Sequence, residues 1–155
     1  MESPFPRPSV SAVVTVMLAC LPASVLPAAA GRGATLDGPV AAQVLRVIDG
    51  DTLLAEALIW PGQTLTVSIR IRGIYAPEIK GRCMGERLAA ARAREGLAVL
   101  VADGSVSLSN IGGGKYYGRV LADVATSGGK PVGPALLARA LVRPYGGGRR
   151  QGWCG

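Results

Sequence analysis

The chain contains no histidine. That absence excludes Ser-His-Asp and Cys-His catalysis, histidine general bases and histidine-ligated zinc. Any proton transfer falls to a carboxylate, a tyrosine, a lysine or a cysteine. Carboxylates are themselves scarce, with 10 Asp plus Glu against 17 Lys plus Arg and a net charge of +7. A small domain with that imbalance either meets a polyanion or simply carries an arginine-rich solvated surface, and charge alone does not choose between them. Long apolar runs are lacking too. The run at residues 10–21 (VSAVVTVMLACL) is short for a membrane span. No internal repeat is evident. A cysteine nucleophile would lack an activating histidine.

What is present begins with a targeting pattern. Residues 1–7 carry one arginine, the apolar run follows, and Pro22, Pro27 and Ala28-Ala29-Ala30-Gly31 come next. This is the charged, apolar and small-residue order of a secretory signal, and cleavage is expected after Ala30. Met17-Leu18-Ala19-Cys20 loosely resembles a lipoprotein signal, in which Cys20 would be lipidated. Met at its first position departs from that pattern. The expectation is export, to a periplasm or to the medium, with membrane attachment only through a lipidated Cys20. Removal of Glu2 and Arg7 leaves the net charge at +7. The exported chain keeps two cysteines, Cys83 and Cys154. An even count in an exported domain suggests one disulfide, and the alternative is two free thiols. Such a bridge would tie the last residues to the middle of the domain.

The full chain of 155 residues suits a single domain at residues 40–155, with residues 31–39 as a flexible leader. Its apolar content of 49% suffices for a core. Residues 40–48 read as a strand ending at the Asp49-Gly50 turn, and residues 52–57 as the returning strand. After a turn at Trp60-Pro61-Gly62-Gln63, residues 64–74 alternate. Leu65, Val67, Ile69 and Ile71 share one face, and Thr66, Ser68, Arg70 and Arg72 the other. Pro77 stops this strand. Residues 85–101 read as a helix, with Leu88, Ala91, Leu97 and Leu100 as its apolar stripe and Gly96 as a weak point. Strands follow at 105–110 and 119–125, joined by a glycine-rich turn, then a short helix at 136–142, with Pro134 fitting its first turn. A basic, mobile tail, Gly146-Gly147-Gly148-Arg149-Arg150, closes the chain. Mainly β with α, five short strands with one long inserted helix and one short C-terminal helix, match a closed barrel of the OB type.

Three clusters carry chemistry. In Asp49-Gly50-Asp51-Thr52, two carboxylates within one tight turn can offer oxygens to a hard cation such as calcium, although Asp-Gly is also an ordinary hairpin turn. In Arg70 through Glu78, an arginine on a strand's polar face can clamp a phosphate, and a carboxylate just past the strand can deprotonate a water. A plain surface ion pair is the commoner use of such residues. In Lys115-Tyr116-Tyr117-Gly118-Arg119, a second guanidinium starts a strand beside two tyrosines able to stack on a base. A loop with exposed aromatics would look the same.

Taken in order, the clusters resemble the staphylococcal nuclease (thermonuclease) family. That family shows V-I-D-G-D-T, then R-x-x-x-x-D-x-P-E, then Y-G-R. Here they read Val47-Ile48-Asp49-Gly50-Asp51-Thr52, then Arg70 to Tyr75-Ala76-Pro77-Glu78, then Tyr117-Gly118-Arg119. The resemblance implies an OB barrel that hydrolyses DNA or RNA with calcium. By position it implies Asp51 as a metal ligand, with Asp49 close by, and the backbone carbonyl of Ala76 as a further one. It implies Glu78 as general base and Arg70 with Arg119 as the phosphate grip. Tyr117 or Tyr116, Lys115 and Tyr145 become substrate contacts, with Tyr117 preferred because it directly precedes Gly-Arg. A monomer acting on nucleic acid, without a stable protein partner, is the matching expectation.

Two departures modify it. Tyr75 stands where the family has its second calcium-binding aspartate. Tyrosine is neutral near pH 7 and a poor calcium ligand, so weaker calcium binding and reduced activity are expected. The short tail also stands where the family has its last helix, and its fastening would fall to a Cys83–Cys154 bridge. The competing expectations are a non-catalytic OB-type module that binds nucleic acid through a degenerate metal site, and an envelope domain for another polyanion.

Overall fold

The computed structural model describes residues 35–154, so the signal segment, the cleavage point after Ala30 and Cys20 lie outside the described residues. Five strands form a closed barrel: β1 (Val40–Asp49), β2 (Thr52–Trp60), β3 (Gln63–Ile71), β5 (Ser105–Gly113) and β6 (Arg119–Thr126). Their order around the barrel is β1-β2-β3-β6-β5. All neighbours are antiparallel except β3 and β6, which run parallel. The first three strands are a meander, as the turn signals predict. Closure comes from β5 pairing back onto β1, with Val40 opposite Leu108 and Gln43 opposite Ser105. The alternation in β3 sends Val67, Ile69 and Ile71 into the core and leaves Leu65 exposed at the hairpin tip. Leu53, Ala55, Val106, Leu108, Ala122 and Val124 complete the barrel interior.

A two-stranded ribbon, β4 (Ile74–Tyr75) with β7 (Arg143–Pro144), stands beside the barrel. Arg72 and Gly73 break the strand that the sequence carries on to residue 74, and Gly73 turns at φ 77°. Helix α1 (Met84–Leu100) starts at Cys83, whose sulfur accepts from the Glu86 amide at 3.4 Å. The Glu86 carboxylate reaches back to the Arg82 amide at 3.1 Å, a variant of the capping box.

The buried face of α1 differs from the expected stripe. Leu88 and Ala91 face solvent, and Ala90, Ala93 and Leu97 face the barrel. Small residues win that face because the chain approaches closely there. A Cβ on Gly50 would meet the Ala93 Cβ at 2.6 Å and the Ala76 Cβ at 2.8 Å. Gly96 likewise leaves space that the Leu141 side chain fills. Helix α2 (Val132–Ala138) starts four residues earlier than predicted, with Pro134 inside its first turn. It buries Val132 and Leu136 against the core. The leader is engaged where it is described, since the Leu36 amide donates to Ile111 and the Ile111 amide to Leu36, both at 2.8 Å.

The sulfurs of Cys83 and Cys154 lie at bonding distance, 71 residues apart in sequence. A closed loop of that length stabilises the fold by about 4 kcal/mol in the chain-entropy model. Thermal unfolding with and without reductant checks this. The reduced protein is expected to melt well below the oxidised one, and an unchanged midpoint would remove the bridge from any structural role.

Candidate active site

The turn between β1 and β2 carries the first site residues. Asp49 Oδ1 accepts the Asp51 amide at 3.0 Å, the side-chain bond that makes Asp favourable in such turns. Asp51 is only 2% exposed. Its carboxylate is heavily used: Oδ2 accepts the Ala76 amide at 2.6 Å, and Oδ1 accepts the Thr52 hydroxyl at 2.9 Å. Oδ1 also receives Arg70 Nη1 in a close ion pair. Burial pushes the Asp51 carboxyl up to about 6. The Asp49 charge adds to that, while Arg70 and the Ala76 amide pull the other way. Burial outweighs the arginine beside it, so the cost of desolvating the charged carboxylate sets the direction of the shift.

The sheet register explains where the guanidiniums go. On β3 and β6, Ser68 pairs with Arg119 and Arg70 with Leu121, so the two arginines leave parallel neighbours one pleat apart. Arg119 Nη2 donates to the Thr52 hydroxyl at 3.4 Å, which links it through Thr52 to Asp51. Arg119 Nε is buried and bonds to nothing among the described residues. Arg70, Arg119, Lys115, Tyr116, Tyr145 and Arg150 line one cavity of about 330 Å³. No carboxylate lines it. Four cationic side chains around a cavity without an acid suit an anion.

Glu78 opens onto a neighbouring, larger cavity that also holds Tyr75, Ala76, Arg150 and Trp153. Its side chain is 67% exposed and accepts from Arg150 Nη1 at 3.2 Å. Arg150 lines both cavities. It thus marks the border between the expected base and the expected phosphate grip.

No family model matches the chain, and no curated protein matches it. The site is therefore read from its own chemistry.

Several expectations change. Ala76 donates its N–H to Asp51, which places the residue beside that carboxylate. Tyr117 is fully exposed, and Tyr116 lines the cavity instead, with Lys115 Nζ 5.5 Å and the Arg119 guanidinium 6.0 Å from its ring. Tyr75 packs against the C-terminal tail. It is 4% exposed, its ring meets those of Tyr145 and Trp153 edge-on at 5.8 Å each, and its hydroxyl donates to the Gln151 carbonyl at 3.2 Å. The tail is fastened along its length. Arg143 Nη1 donates to the Gly152 carbonyl at 2.9 Å, its guanidinium lies 4.0 Å over the Trp153 ring, and the Tyr145 hydroxyl donates to Gly148 at 3.0 Å. Among the described residues, only Cys83, Glu86 and Cys154 gather three atoms of metal-ligand type, and there the sulfurs are bonded to each other.

Sequence reasoning missed Thr52, Glu86, Arg143, Arg150 and Trp153. Glu86 had a signal, its place three residues after the helix cap. There its carboxylate holds the Arg82 amide and approaches the Glu78 amide at 3.4 Å, so it shapes the loop that presents Glu78.

Proposed function

We propose that the protein is an exported phosphodiesterase that hydrolyses DNA or RNA on an OB-type barrel, assisted by calcium. The observation that carries this reading is the meeting of Arg70, Lys115, Arg119 and Arg150 around one cavity that no carboxylate lines, with Asp51 paired to Arg70 and Glu78 to Arg150. Three clusters far apart in sequence converge there, in the order that resembles staphylococcal nuclease.

The chemistry follows from those groups. Water attacks phosphorus, Glu78 takes the water's proton, and the ester P–O bond breaks, its electron pair going to the leaving oxygen, which takes a proton from solvent. Negative charge grows on the nonbridging oxygens, and Arg70, Arg119 and Lys115 stabilise it more than they stabilise the ground state. Asp51 and Thr52 hold Arg70 and Arg119 in place, so the grip is preorganised. Tyr116 and Tyr145 offer rings to a neighbouring base.

The donors fit a cation only in part. Asp51 gives one buried carboxylate already paired with Arg70, and Asp49 lies two residues away. Tyr75 adds nothing, so the rest of a calcium shell would come from water. A calcium ion bound there would supply further positive charge beside the phosphate.

Incubation of the oxidised protein with single-stranded DNA across a calcium series, with a chelator control, tests the proposal. Calcium-dependent cutting is expected. Retention of intact DNA with salt-sensitive affinity would instead indicate a binding module. The three donors already on Asp51 and the Arg150 partner on Glu78 favour that second reading. Neither cutting nor binding would sink both.

The pH dependence has a definite sign. The Asp51 carboxyl is raised to about 6, so below that pH its neutral form dominates and cannot hold a cation. Apparent calcium affinity is expected to weaken by about tenfold per pH unit below 6 and to level off above it. Calcium titrations at several pH values check this, and a flat profile would take Asp51 out of the site.

A further inference from the structure

The last residues of the chain do more than end it. Arg150 is half-exposed and borders two aromatic rings and Glu78. Its guanidinium lies 5.3 Å from the Tyr145 ring and 6.0 Å from the Tyr75 ring. The next residue, Gln151, is pinned by the Tyr75 hydroxyl, Gly152 by Arg143, and Cys154 by the bond to Cys83. Residues 146–154 thus form a strap, fixed at its far end to the N-terminus of α1.

We propose that this strap is a working part of the anion site, with Arg150 as a further phosphate-binding guanidinium held in register by the Cys83–Cys154 bond. The proposal rests on the nucleic-acid reading above and extends it to a residue outside the three clusters. Arg150 lines the same acid-free cavity as Arg70, Lys115 and Arg119. Of the three arginines there, Arg70 is tied to buried Asp51 and Arg119 to Thr52. Arg150 is tied only to Glu78, whose side chain is mostly exposed. An exposed ion pair of that kind is worth little and is readily exchanged for a phosphate, which accepts two parallel guanidinium bonds. The exchange has a second effect. It frees the Glu78 carboxylate as the phosphate arrives, so the group that accepts the water's proton becomes available together with the substrate. The aromatic walls matter as well. Tyr75 packs edge-on against Tyr145 and against Trp153 of the strap, which gives the buried tyrosine at position 75 a part in holding the strap.

The test measures binding of a short fluorescein-labelled single-stranded DNA in chelator, for the oxidised protein and for Arg150→Gln. Lys130→Gln, an exposed residue away from the cavities, controls for net charge. Arg150→Gln is expected to weaken binding by about tenfold, as the loss of a charged hydrogen bond does. It should also reduce the slope of log affinity against log salt by about 0.7, the share of one phosphate contact on a single strand. Lys130→Gln should stay within about twofold of the parent, because screening blunts a remote charge. A Cys83→Ser/Cys154→Ser protein, checked for folding by its melting curve, should lose the same tenfold, and adding Arg150→Gln to it should cost little more. If that protein is unfolded, the oxidised Arg150→Gln comparison decides alone. Binding by Arg150→Gln within twofold of the parent overturns the proposal. So does tighter binding or faster cutting, which would make the strap a plug over the site. The outcomes separate the two readings. A parent that binds but never cuts with calcium ends the nuclease reading and leaves the strap to the Arg150→Gln result. A parent that cuts while Arg150→Gln binds normally ends the strap proposal alone. A parent that neither binds nor cuts ends both.

Discussion

Glu78→Gln is expected to lower DNA cleavage by about 10²–10⁴-fold, the range that a positioned general base contributes. The variant keeps the shape of the side chain and removes its basicity. Its melting temperature should match the parent's, because Glu78 is largely exposed and its pair with Arg150 is a surface pair worth about 0–1 kcal/mol. Its DNA affinity should equal or exceed the parent's, because a negative charge leaves the edge of the anion site. That combination, binding kept and cutting lost, is what separates a base from a structural residue. Full activity in Glu78→Gln would remove Glu78 from the chemistry. Arg70 offers no comparable test. Its guanidinium neutralises the buried Asp51, and truncation would strand that carboxylate at a cost of about 3–5 kcal/mol. An inactive Arg70→Ala protein would therefore report on folding as much as on phosphate. Arg119 is the cleaner arginine, since its partner is the neutral Thr52 hydroxyl.

The features readable from sequence are the local ones. Alternation in β3 and the turn at Asp49-Gly50 involve residues a few positions apart, so propensity and pattern suffice. The arginines on the polar face of β3 and at the start of β6 were legible for the same reason. The buried face of α1 was not. Ala90 and Ala93 carry little hydrophobic signal, yet they win the interface because Gly50 approaches too closely for larger side chains. Leu88 looks like core in sequence and is 54% exposed. The β4–β7 ribbon has two residues per strand and exists only through pairing across the chain. Arg150 and Trp153 were invisible as site residues, because their positions depend on a covalent bond to Cys83 and on the ring of Tyr75. Tyr75 itself was noticed for what it lacks, a carboxylate, while its buried contacts say what it supplies.

Tyr75→Asp brings those two views into opposition, and it is expected to have two effects of opposite sign. In chelator the variant should be less stable than the parent by about 5 kcal/mol. An aromatic ring buried to 4% exposure is truncated, and a charge is placed where two aromatic rings pack. The hydroxyl that holds the Gln151 carbonyl is lost as well. Tyr75→Phe isolates that last contribution and should cost only about 1 kcal/mol. In calcium the order should partly reverse. A second carboxylate near Asp51 raises the ligand charge, so calcium affinity should rise by about tenfold. Ligand that binds only the folded state then restores stability as its concentration exceeds the dissociation constant. Melting curves with and without calcium read both effects at once. The calcium-dependent rise in midpoint is expected to be larger in Tyr75→Asp than in the parent. An equal rise would mean that the carboxylate at position 75 does not reach Asp51. Tyr75 would then serve the strap alone, and any weakness of the metal site would lie in the donors already crowding Asp51.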